Sequence, residues 1–283
     1  MRGTILILLA AVLWGTTGTS QAFAPAQATP LGIGTMRLLV GGSALMLLAV
    51  SRGYFRSRTG WMQPATLVAG LSTALYQLTF FAGVALTGIA VGTIVAIGSA
   101  PVFSGILGYL LLGEPLRPRW MIATVLAILG GTLLVFSGNE TMHVHPLGML
   151  LTLLSGFSYS LFAVANKRLL AFHPADAAMA VSFSLGAIFL LPALFFVDVS
   201  WALTMNGLLI VLHLGLFATG LAYMLYGRGL QTVTVGAAGT LALLEPVTAA
   251  LLGVLLVGER LSALAIMGMV LILVGLLVLV TER

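Results

Sequence analysis

The sequence predicts an all-α polytopic membrane protein, ten transmembrane helices arranged as two inverted five-helix repeats. Three observations carry this. Of 283 residues, 60% are hydrophobic and only 7% charged, against roughly a quarter charged in a soluble domain. That leaves too little polar material to cover a water-facing surface. Apolar runs recur at close to the ~20 residues needed to span a ~30 Å hydrocarbon core as helix. The middle of the chain also reappears 145 residues later.

The runs follow one another between breakers and charges. The first, 3–24, begins after Arg2. Its "AFA" (Ala22 to Ala24) resembles a signal-peptide cleavage site, but Pro25 would follow the cut and the run is long enough to span, so it reads as a retained helix. The second, 31–51, ends at the loop holding Arg52, Arg56 and Arg58. The third and fourth, 62–83 and 88–112, lead into "GEPLRPR", and the fifth, 119–137, follows it. The sixth, 146–166, ends at Lys167 and Arg168; the seventh, 176–196, ends before Asp198. The eighth, 204–226, ends before Arg228, and "GER" separates the ninth, 233–257, from the tenth, 261–280. No segment alternates with period two over ten residues, which argues against an outer-membrane barrel.

Lys and Arg near span ends stay cytoplasmic. With the N-terminus inside, Arg2, Arg52, Arg56, Arg58, Arg117, Arg119, Lys167, Arg168, Arg228 and Arg283 all fall inside, ten of the twelve basic residues. Arg260 is in an outside loop and Arg37 within a span, while Glu140 and Asp198 are outside. The expectation is a bacterial inner-membrane protein with both termini cytoplasmic.

Comparing 87–135 with 232–280 gives 15 identities in 49 positions without a gap. Leu and Val matches mean little in this composition. Pro101 with Pro246, Gly108 with Gly253, Gly113 with Gly258, Glu114 with Glu259 and Gly130 with Gly275 mean more. The repeats are expected at 1–140 and 141–283. Five spans are odd in number, so the second copy would enter the membrane inverted, an arrangement typical of secondary transporters with a substrate site near the midplane.

Together, "LWG" (Leu13 to Gly15), "AP" (Ala100, Pro101), "EP" (Glu245, Pro246) and the paired "GE" in a ten-span layout resemble the drug/metabolite transporter superfamily. Within it the chain is similar to EamA-type bacterial inner-membrane exporters, most of all those for aromatic and other neutral amino acids. The resemblance extends over essentially the whole chain. It implies export of amino acids or similar small metabolites without ATP, with helices 5 and 10 helping to hold the halves together.

Pro101 and Pro246 lie mid-span, and each removes a backbone bond and should kink its helix. With Gly98 they are read as hinges; the alternative is a static kink. Ser104 with Gly108, Ala249 with Gly253, and Gly130 and Gly275 read as packing positions. Glu245 is the one carboxylate deep in a span, and must face a cavity or partner or be protonated. Arg37, two turns into the second span, either holds a substrate carboxylate or snorkels outward. His213 reads as a hydrogen-bonded packing residue. Trp14, Tyr76, Phe80, Tyr159 and Tyr223 are the expected aromatic cavity lining, Tyr76 and Phe80 sharing one helix face. Ser99, Ser155 and Ser182 are the candidate hydroxyls, Ser99 and Ser182 being expected to bind substrate with the aromatics, Arg37 and Glu245. The pairs Lys167–Arg168 and Arg117–Arg119 are topology signals.

With no cysteine, disulfide and thiolate chemistry are excluded. The seven acidic residues are scattered, and neither a Walker loop nor H-E-x-x-H is present, which argues against an ATP-driven pump or a metalloprotease; no ring of charges suggests a channel. No cofactor, metal or nucleic-acid partner is expected. The expected partners are a small-molecule substrate and the bilayer, with function as a monomer by alternating access around a central apolar cavity. Export of another metabolite or of a drug cation is the alternative, with a membrane-embedded enzyme or channel behind it.

Overall fold

The computed structural model describes residues 1–55, 60–136, 145–258 and 260–281. Arg56, Arg58, Glu140, Glu259 and Arg283 lie outside them. Among the described residues all regular structure is helical, and ten helices are long and apolar enough to cross a membrane. We number them α1 (Arg2–Ala22), α2 (Pro30–Ser51), α3 (Pro64–Thr87), α4 (Ile89–Leu112), α5 (Pro118–Phe136), α6 (Pro146–Leu169), α7 (Ala175–Leu190), α8 (Met205–Leu230), α9 (Val235–Val257) and α10 (Ala263–Val280).

The ends follow from local chemistry. Pro30, Pro64, Pro118 and Pro146 open four helices, where a missing N–H is no loss. Thr29, Thr204, Thr234 and Ser262 accept the amides of Gly32, Gly207, Ala237 and Ala265, supplying the side-chain acceptor that a helix start lacks. After α7 the chain tightens into a 3-10 turn, Leu191–Phe195, because Pro192 cannot continue an α-helix. Asp198 then accepts the amide of Ser200 at 2.8 Å and its hydroxyl at 3.0 Å. Those bonds, the amide first, hold its carboxyl below the usual range.

The two "GE" glycines share one role. Gly113 and Gly258 end α4 and α9 with φ of 69° and 80°, left-handed values that cost a residue with a Cβ about 1 kcal/mol or more. At the first, the amide of Glu114 closes back on the carbonyl of Gly108 at 3.1 Å.

The helices pack in reciprocal pairs: α3 on α6 and α8 on α1, α4 on α6 and α9 on α1, α2 on α7, and α5 on α10. The last pair has the closest backbones. A Cβ on Gly130 would stand 2.5 Å from the Gly268 carbonyl, and one on Gly275 would stand 2.7 Å from the Ala123 carbonyl. In lipid, where apolar surface alone does not drive helices together, such approach is what binds them. Gly131, one position on, has open space. Gly130→Val is therefore expected to destabilise the protein by about 1–3 kcal/mol and Gly131→Val to change little. Thermal unfolding in detergent checks the contrast.

Candidate functional site

The site begins where a helix fails. Pro246 has no N–H to give the Ala242 carbonyl, and α9 breaks at Ala242–Leu243. The Ala242 carbonyl instead receives the amide of Glu245 at 2.9 Å, and Leu243 donates to Thr240 at 3.1 Å. The helix resumes at Leu244 with Glu245 in its first turn, where free amides and the helix dipole favour an acidic side chain. At the matched position in the first half, α4 runs through Pro101 without a break. Gly98 and Pro246 border one small void of about 20 Å³ between α4, α5 and α9.

Glu245 faces a cavity of about 300 Å³. Its walls come from both halves: Trp14, Thr17 and Gln21 of α1, Arg37 of α2, Tyr76, Gln77 and Phe80 of α3, Thr93 and Ala100 of α4, Tyr159 of α6, Tyr223 of α8 and Gly239 of α9. The cavity reaches Gln21 and Pro30, at the end of α1 and the start of α2. That end, opposite the chain termini, is called the mouth here.

Towards the terminal end the cavity meets a floor of rings. Trp14 lies 4.9 Å from Tyr223 and 5.4 Å from Tyr226, Tyr223 lies 4.2 Å from Phe183, and Phe162 lies 5.8 Å from Tyr223. Tyr226 is fully buried. Along one wall, Tyr76 stacks on Phe80 at 5.8 Å and meets Tyr159 at 6.4 Å.

Of the residues singled out from sequence, Trp14, Arg37, Tyr76, Phe80, Tyr159, Tyr223 and Glu245 come together on this cavity. Ser99 and Ser182 do not line it. Ser99 donates to the Ala96 carbonyl and packs at Gly156, and Ser182 donates to Ala178 and Asn166 inside the bundle. In an apolar helix a serine satisfies itself on its own preceding turn, so a hydroxyl in the right span need not face the cavity. Ser155 is buried elsewhere in α6. His213 bonds Thr16 at 2.9 Å, tying α8 to α1.

Sequence reasoning missed Gln77. It is buried on α3 and donates to the Gly34 carbonyl of α2 at 3.2 Å. With Phe80, Phe81 and Val84 it forms an i, i+3, i+4, i+7 series along the cavity, a spacing that could have drawn attention to it.

Arg37 and Glu245 share this cavity, but no ion pair within 4.0 Å joins them, and the Arg37 Nε is buried without a hydrogen-bond partner. A buried guanidinium Nε left without a partner costs stability. Arg37→Met is therefore expected to melt no lower than the native chain, which thermal unfolding in detergent will test; a clear loss would mean that Arg37 holds the bundle together.

The model of the EamA-like transporter family matches residues 1–136 and again 146–281. The chain belongs to the EamA-like transporter family and is a membrane transporter. It is similar to the "Uncharacterized transporter YwfM" of Bacillus subtilis (strain 168), with 46% identity over 98% of this chain and 94% of that one. It also resembles a "Probable amino-acid metabolite efflux pump" of Escherichia coli (strain K12), with 26% identity over 96% and 92%. A solved crystal structure 22% identical in sequence has the same fold, with a TM-score of 0.86 over 98% of this chain and 95% of that one.

Proposed function

We propose that this chain exports neutral amino acids, preferring those with aromatic or large apolar side chains, by alternating access around the cavity. The observation that carries the reading is the unpaired couple. Arg37 and Glu245 both face one aromatic cavity without an ion pair between them. A zwitterion fits that vacancy: its carboxylate takes the guanidinium fork and its ammonium takes Glu245. The rings of Tyr76, Phe80, Tyr159 and Tyr223 then receive the side chain. A volume near 300 Å³ is at the low end for small-molecule sites, suiting one amino acid. The name of the Escherichia coli relative points the same way.

Two inverted repeats, 1–140 and 141–283, supply the alternating geometry in this reading. The family model's two matches and the reciprocal Gly130 and Gly275 contacts support it. The distribution of Lys and Arg favours cytoplasmic termini in a bacterial inner membrane. Gly98, Pro101 and Pro246 are the hinges.

The test is counterflow of labelled phenylalanine, threonine and a nucleoside in proteoliposomes, with and without a pH gradient. Phenylalanine is expected to exchange best, and Glu245→Gln and Arg37→Met are each expected to lower exchange by about tenfold or more, the loss of one charge-assisted bond. Unchanged phenylalanine exchange in both variants would reject the zwitterion site, and uptake of organic cations instead would favour the drug-cation alternative. The double variant Pro101→Ala, Pro246→Ala is expected to keep its fold but slow exchange several-fold, as a straightened pair of helices rocks less readily. Native rates in that variant would remove the hinge role.

A further inference from the structure

At the terminal end of the bundle, below the ring floor, two carboxylates that do not line the central cavity tie segments of the chain together, Glu114 beside a separate cavity of about 360 Å³. At one point the Glu114 carboxylate, in the turn between α4 and α5, accepts the first amide of α9 (Val235) at 2.6 Å. Lys167 of α6 stands 3.9 Å away and donates to the carbonyls of Leu230 and Val233 at 2.5 and 2.7 Å. At a second point Asp176, buried at the start of α7, accepts two bonds from Arg228 of α8, at 2.9 and 2.7 Å, and a third from Arg52 after α2. Each carboxylate joins chain from before residue 137 to chain from after it.

We propose that Glu114 and Asp176 are clasps of the transport cycle, holding the terminal end closed while the mouth is open, and that Glu114 must leave Val235 before the cavity can open to the other side. The inference rests on the alternating-access reading.

Three features favour a clasp over a static joint. The clasps are at the end of the bundle away from the mouth. Glu114 does not cap its own helix: it reaches across to the broken helix that carries Glu245, so withdrawal would free the half of α9 that moves. Burial also raises the Glu114 carboxyl above its ordinary range, outweighing the Val235 amide and Lys167, which lower it. The bond is thus held against a desolvation cost that an opened, wet terminal end would relieve. Unlike a buried apolar seam, such a contact exchanges cheaply for water.

The chain has no cysteine, so one reporter can be placed cleanly. Ala100→Cys puts a thiol on the cavity wall, and an impermeant maleimide is applied from each side of vesicles of opposite orientation. The Ala100→Cys protein is expected to label from the mouth side. Adding Glu114→Ala is expected to raise labelling from the terminal side about tenfold and lower it from the mouth side, as one charge-assisted bond leaves the closed state. Glu114→Gln keeps an oxygen for the Val235 amide and should restore much of the native pattern.

Labelling unchanged on both sides, or increased on both sides together, overturns the clasp, since a loosened fold lacks the reciprocal shift. If Glu114→Ala does not reach the membrane, Lys167→Met tests the other arm, and the absence of a reciprocal shift there is equally decisive against the proposal. The assay uses no substrate. A normal shift without phenylalanine counterflow would reject the amino-acid reading and leave the clasps standing.

Discussion

A missing backbone N–H at Pro246 has the widest consequences in this molecule. Because the Ala242 carbonyl cannot be satisfied in the ordinary helical way, α9 breaks and restarts, with Glu245 in the new first turn. At a helix start backbone dipoles favour a carboxylate, and beside a cavity it escapes lipid. Cavity, charge and break therefore occur together. Pro101, at the corresponding place in α4, produces no break, and its neighbour Ala100 asks for none. The two halves share a proline but differ in what it serves.

Around that point the bundle is assembled by subtraction. Where helices must touch, side chains are removed: Gly130 against Gly268, Gly83 against Gly148, Gly41 against Gly215, each with backbone where a Cβ would fall. Where polar side chains remain, they are mostly turned inward upon the backbone. Thr73, Thr87, Thr152, Ser158 and Thr248 each donate to a carbonyl one turn earlier, which leaves little for a substrate. The cavity wall mixes the rings of Trp14, Tyr76, Phe80, Phe81, Tyr159 and Tyr223 with a few polar side chains, and its only charged lining residues are Arg37 and Glu245.

The two ends of the molecule are closed by different means. The floor beneath the cavity is aromatic, with Tyr226 fully buried among Trp14, Tyr159 and Phe162. The rim beyond it is ionic, with both Arg52 and Arg228 on the single carboxylate of Asp176. The rings are packed against one another, while the arginines of the ion pairs are more than a third exposed. Lys167 and Arg168, at the end of α6, bond carbonyls of neighbouring segments.

Much of this was legible beforehand. Spans could be read because a helix in lipid must satisfy its own backbone over a fixed thickness, so length and hydropathy suffice; the observed helices begin and end within a few residues of the predicted ones. Trp14, Tyr76, Phe80, Tyr159, Tyr223, Arg37 and Glu245 could be picked out because bulky rings and lone charges within spans need a special environment. Ser99 and Ser182 could not be sorted the same way. Whether a small polar group faces a cavity or its own preceding carbonyl depends on helix rotation, and nearly uniform apolar helices carry little periodic signal to reveal it. By itself, then, the sequence determined the class of protein, the number and limits of its helices and the internal repeat, because each is a local or compositional demand of the bilayer. Only the tertiary structure decided that Arg37 and Glu245 share one cavity unpaired and that Glu114 reaches Val235, because these depend on how distant helices rotate and pack against one another.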